Sequence, residues 1–150
     1  EQYKIPDYQA DVCTAFAQGN VGKAIQLASS DSFNELKAAA LQLMKRLDDI
    51  DLYEMSSAVK QISEYKLQIN DYFDLMMIWF RDILYMKATN DVNGLIFKDE
   101  VYDIKKQAAK RSYNGIENIL EALSKAKIRL NANVNFDLVI ELLLLTIKEN

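Results

Sequence analysis

The sequence contains no histidine and a single cysteine, Cys13. Those shortages exclude an intrachain disulfide, a Cys/His zinc site, a Ser-His or Cys-His catalytic pair and the two-histidine helix of metalloproteases. Proline occurs once and glycine four times in 150 residues, too few turn-formers for an all-β fold of many short strands. Basic charge is not in excess either. Eighteen Lys and Arg stand against 22 Asp and Glu, a net charge of −4, so no global field draws the chain to nucleic acid or an anionic membrane. Long hydrophobic runs are also missing. The most apolar stretch, residues 138–147 (LVIELLLLTI), carries Glu141 within it and falls well short of the roughly 20 residues that span a bilayer. It predicts a buried core helix in a soluble chain. No apolar leader opens the sequence, and Glu1 in place of an initiator methionine suggests an internal piece of a longer protein.

What the sequence does contain is helical periodicity, in a chain 50% apolar and 27% charged and long enough to bury a substantial core. Pro6 and Asp7 open a first helix whose stripe is Tyr8, Val12, Ala15 and Phe16, and Gly19-Asn20 stops it. A short helix follows over residues 21–28. Ser32 with Glu35 reads as a capping box for a longer helix that ends at Asp48, Asp49 and Asp51. Asp51 with Glu54 reads as the next capped start, leading into Leu52, Met55, Val59 and Ile62 on a helix reaching about residue 66.

The strongest pattern spans residues 71–88. Tyr72, Leu75, Met76, Trp79, Phe80, Ile83 and Leu84 occupy i, i+3, i+4, i+7, i+8, i+11 and i+12, with the charges on the other side. A loop over residues 89–98 precedes a narrow-striped basic helix at about 99–111. Ser112 or Asn114 then starts a helix carrying Ile116, Ile119, Leu120, Leu123, Ala126 and Leu130. Residues 131–135 break the chain, and Asn135 caps the last helix, from residue 136 to about 148. The sum is an all-α bundle of about seven to eight helices.

Candidate chemistry is sparse. Gly19-Asn-Val-Gly22-Lys23 lacks the four-residue spacing and the hydroxyl of a phosphate loop, and it follows a helix instead of a strand. Asp48, Asp49 and Asp51 have the chemistry of a magnesium site, but acids at a helix junction ordinarily cap and solvate it. Glu117 and Glu121 share a face without the histidines that di-metal bundles require. Lys105, Lys106, Lys110 and Arg111, with Lys125, Lys127 and Arg129, form two basic stretches that read as solvated helix faces, since no aromatic platform is interleaved. The Trp79 stripe, flanked by Met76, Met77 and Met86, reads as core. The last helix is different: apolar side chains cover nearly its whole circumference, which places it at the centre of its own bundle or against another chain.

Three stretches, in order, resemble the C-terminal part of the delta-prime subunit family of bacterial DNA polymerase III clamp loaders. They are residues 17–25 (AQGNVGKAI), residues 75–84 (LMMIWFRDIL), and residues 130–136 (LNANVNF) leading into the leucine-rich helix. The first is similar to the turn closing the lid subdomain of the clamp-loader ATPase fold. There, Gly22 with Lys23 beside it stands where hydrolysing relatives carry a sensor arginine, which fits delta-prime and argues against the motor subunits. The resemblance implies that residues 1–28 are the lid tail and residues 31–150 a helical collar domain that joins neighbouring subunits into a five-membered ring. It implies cytoplasmic DNA replication, no catalytic residue, no nucleotide, no metal and no cofactor in this piece. Partners would be the collars of the other subunits, with the sliding clamp and DNA reached only through the whole complex and no membrane involved. Interface candidates are Trp79, Arg81, Asp82, Tyr85, Asn135, Glu141 and Leu143. The alternative is a stand-alone helical adaptor that takes a partner helix or peptide in a groove.

Overall fold

The computed structural model describes residues 31–150, which form six α-helices, the first three connections carrying short 3-10 turns, with no strand among the described residues. The two helices expected ahead of residue 31, and with them Cys13, Gly22 and Lys23, lie outside the described residues. We number the helices α1 (Asp31–Arg46), α2 (Leu52–Ser63), α3 (Ile69–Thr89), α4 (Val101–Lys110), α5 (Tyr113–Asn131) and α6 (Phe136–Glu149). The all-α bundle read from the sequence is what the described residues form.

Helix ends follow local chemistry at most of the expected places. Asp51 caps α2 by accepting from the Glu54 amide at 2.8 Å. Ser112, not Asn114, caps α5 through the Gly115 amide at 2.9 Å, and Asn135 caps α6 through the Leu138 amide at 3.0 Å. Each satisfies an amide that the first helical turn leaves without a partner. Two asparagines supply left-handed stops. Asn90 (φ 53°) closes α3, and Asn133 (φ 62°) closes α5 in a Schellman arrangement, with Val134 N donating to Arg129 O and Asn133 N to Leu130 O. Ser32 is a correction to the capping box: it lies inside α1, and its hydroxyl accepts from the Gln68 side chain at 3.2 Å. The second helix ends at Ser63, with a separate 3-10 turn over Lys66–Gln68.

α3 is the hub, packing against α1, α4 and α5. Of its expected stripe Tyr72, Leu75, Met76, Trp79, Phe80 and Ile83 are buried and Leu84 is half-buried, while Phe73 and Met86 are buried besides. Burying side chains of this size stabilises the fold by roughly 1.5–3 kcal/mol each before entropy is counted. α5 lies between α3 and α6, and α6 in turn packs on α2. At one end of that last pair Lys66 sits over the Phe136 ring, and at the other Lys148 donates to the carbonyls of Leu47 and Ile50. α2 and α6 therefore run antiparallel, on the outside of the bundle.

Candidate interaction surface

α6 presents two faces. Val139, Ile140, Leu143, Leu144 and Ile147 are buried against α5 and α2. On the other side Leu138 and Leu142 are 50% and 45% exposed, beside the exposed carboxylates of Asp137 and Glu141 and the half-buried Leu145. Leu138, Glu141, Leu142 and Leu145 line up at i, i+3, i+4 and i+7, one side of a helix, with Asp137 at its edge. A groove of about 590 Å³ runs between this side and α2. Met55, Val59 and Leu145 contribute apolar lining, Leu52, Ser56 and Lys60 come from α2, and Asp137 and Glu141 from α6. Leu52 and Tyr53, at the start of α2, are 75% and 88% exposed.

The interface candidates divide by depth. Trp79 and Leu143 are interior, and so is Asp82, so within this chain they build the fold and offer nothing to a partner directly. The reason is packing. Trp79 meets the buried Phe97 ring at 6.1 Å between centroids, and its Nε1 is the one buried side-chain nitrogen or oxygen without a hydrogen-bond partner among the described residues. Asp82 accepts from the backbone amides of Ile96 (3.0 Å) and Phe97 (2.8 Å). It thereby ties the loop after α3 back onto that helix. Burial raises its carboxyl pKa above the ordinary value, and the two amides oppose that shift without cancelling it. Arg81 and Tyr85 face outward on α3. The Tyr85 ring lies flush on Gly94, where a Cβ would fall about 2.2 Å from the ring, so a larger residue there would require the exposed tyrosine to swing away. Asn135 is exposed and acts as the cap of α6, and Glu141 lines the groove.

Sequence reading missed the most connected polar group. Arg111, assigned to a solvated basic face, is buried. Its guanidinium donates to both oxygens of Asp48 (2.9 and 3.0 Å), to Ile147 O (2.9 Å) and to the Gln107 side chain, and it lies over the Phe80 ring. It joins the ends of α1, α4 and α6, as only a planar five-donor fork can. Asp48 accordingly serves this ion pair, and Lys110 approaches it at 3.4 Å. No spacing announces a pair 63 positions apart; the only hint is an arginine at the end of a helix otherwise basic through lysine. Other basic groups are also engaged: Lys125 pairs with Glu121 at 3.0 Å and Lys127 with Asp74. Burial, with Tyr65 nearby, likewise pushes the Tyr72 phenol upward. Among the described residues no three Cys, Asp or Glu side chains gather as a metal site would require, and no helix is long and apolar enough to cross a membrane.

The described polar groups thus mostly secure helix ends and one loop, and what faces outward at α2 and α6 is apolar surface edged by carboxylates. Comparison with known proteins agrees with the sequence resemblance. The family model described as "DNA polymerase III, delta subunit, C terminal" matches residues 30–149. A relative named DNA polymerase III subunit delta', from Bacillus subtilis (strain 168), is 27% identical over 133 residues. The match takes in 87% of this chain and 40% of that protein, so the chain spans well under half of its relative's length. No solved structure matches.

Proposed function

Because the chain belongs to the family formed by the C-terminal domains of DNA polymerase III delta subunits, we propose that residues 31–150 are a non-catalytic scaffold of a bacterial clamp loader. In this reading they are the collar domain, and residues 1–28 are the tail of an ATPase-like lid. The domain holds its neighbours through shared apolar helix surface, so that nucleotide-driven movement elsewhere in the loader can open a sliding clamp. The observation that supports it is the outer side of α6, where Leu138 and Leu142 stay exposed although the opposite side of the same helix is buried. Contiguous apolar surface left open on a well-packed domain marks association. A stable assembly would bury on the order of 1,600 Å² per interface. Glu141, Arg81 and Tyr85 are the outward-facing side chains from which such contacts would be drawn. The reading assigns no cofactor or nucleotide to this piece, and it gives the parent protein a place in the cytoplasmic replication machinery.

The test is co-migration. The full-length protein, mixed with the other loader subunits of its own organism at micromolar concentration, should elute with them in gel filtration. Separate elution, with every component folded by circular dichroism, sinks the scaffold reading. A stand-alone adaptor is favoured by one feature, the groove between α2 and α6, and would bind its partner with no loader subunit present.

A further inference from the structure

The α2–α6 groove carries a chemical signature that goes beyond general stickiness. Asp137 and Glu141 stand at i and i+4 on α6, both exposed and neither with an ionic or hydrogen-bond partner among the described residues. Asp137 lies in the first turn of α6, where the helix dipole favours an acid; Glu141, one turn further in, has no such support and stands as a like charge at i+4. They edge a trough with Met55, Val59 and Leu145 in its lining, with Leu138 and Leu142 exposed beside it. The opposite wall, on α2, is mostly short and polar (Ser56, Ser57, Ser63), with Lys60 as its one cation. The antiparallel helices give the trough a length of roughly 12 Å between residues 137 and 145, at about 1.5 Å of rise per residue.

We propose that this groove seats an amphipathic helix of another clamp-loader subunit, two to three turns long. That helix packs its apolar stripe against Leu138, Leu142 and the groove lining, and it sets Lys or Arg side chains against Asp137 and Glu141. The inference rests on the scaffold reading and adds to it the location and the charge of the contact. Apolar residues at i, i+3, i+4 and i+7 of the incoming helix supply the area, as in other helix-in-groove complexes. The two carboxylates supply steering and register. A helix edged by acids would face both carboxylates unpaired and be rejected.

The experiment uses the full-length chain and the remaining loader subunits of its organism, with the dissociation constant followed across a salt series. Asp137→Lys with Glu141→Lys should weaken binding at least tenfold. Asp137→Asn with Glu141→Gln should weaken it less and flatten the salt dependence. Leu142→Gln, which leaves the charges alone, should also weaken binding severalfold. Tyr102→Ser, an exposed aromatic on α4, should leave binding unchanged. If the wild-type chain binds and the groove variants bind equally well, the groove assignment is overturned and the scaffold reading survives. Tighter binding by the lysine variant overturns the basic partner. Self-association of the chain alone, lost in the lysine variant, makes the occupant a second copy and overturns it too. If the wild-type chain binds no loader subunit, both readings fall together.

Discussion

α3 and α6 are both rich in large apolar side chains, yet they are used differently. α3 surrounds itself with its own chain: α1, α4 and α5 pack on it, and the loop after it is drawn back by Asp82. α6 has only α5 and α2 as principal neighbours, so one side of it stays open. The difference teaches that apolar content alone does not locate a helix at the centre of a fold. α3 is amphipathic and becomes the hub; α6, though richer in apolar side chains, sits at the edge and leaves Leu138 and Leu142 exposed.

The sharpest way to break that comparison is a pair of adjacent substitutions. Leu143→Asp places an unpaired charge in the interior, where Leu143 is 3% exposed, and should abolish folding as read by circular dichroism. Leu142→Gln, one position away and on the open side, should shift the unfolding free energy by about 0.5 kcal/mol or less. Equal effects at the two positions would erase the two-sided description of α6.

Next in size is the junction that secures the far end of α6. Arg111→Ala leaves Asp48 without its main partner and Ile147 O without its donor, and should cost about 3–5 kcal/mol in urea unfolding. Arg111→Lys should recover only part of that, since one ammonium cannot reproduce the fork. Full recovery by lysine would reduce the junction to simple charge.

Asp82 tests the α3 side through pH. Its carboxyl titrates above the ordinary aspartate value of 3.8 because burial disfavours the charged form. The folded protein therefore holds that proton longer than the unfolded chain does. Stability from this group is present at low pH and is lost as pH rises from 3.8 through the raised folded value. Asp82→Asn removes the titration while keeping one acceptor oxygen, so the stability of the variant relative to wild type should improve as pH climbs through that window. A relative decline would mean that the Ile96 and Phe97 amides outweigh burial. The smallest effect is at the entrance to α6: Asn135→Ala removes its cap and should cost about 1 kcal/mol.

Much of this is legible in the chain because the signals are local. Asp51, Asn135 and one of two offered residues, Ser112, cap the helices they are expected to cap, and the stripe from Tyr72 to Ile83 turns inward as its spacing demands. The site is less legible. Trp79, Asp82 and Leu143 read as contact residues in the sequence but lie inside, since the pattern that marks a stripe does not say which molecule covers it. Glu141 stands out in the sequence, whereas its companion carboxylate Asp137 and the α2 wall do not, because a groove belongs to two helices that sequence does not place side by side.

The amino-acid order by itself determined the class of fold, the positions of most helix ends and the family, because capping, periodicity and turn chemistry act over a few neighbouring residues. Only the tertiary structure decided that Arg111 is internal and knots three helix ends, that Asp82 holds a loop, and that one side of α6 is left open beside α2. Those outcomes depend on contacts between residues 14 to 101 positions apart, which form when helices pack and leave no local trace.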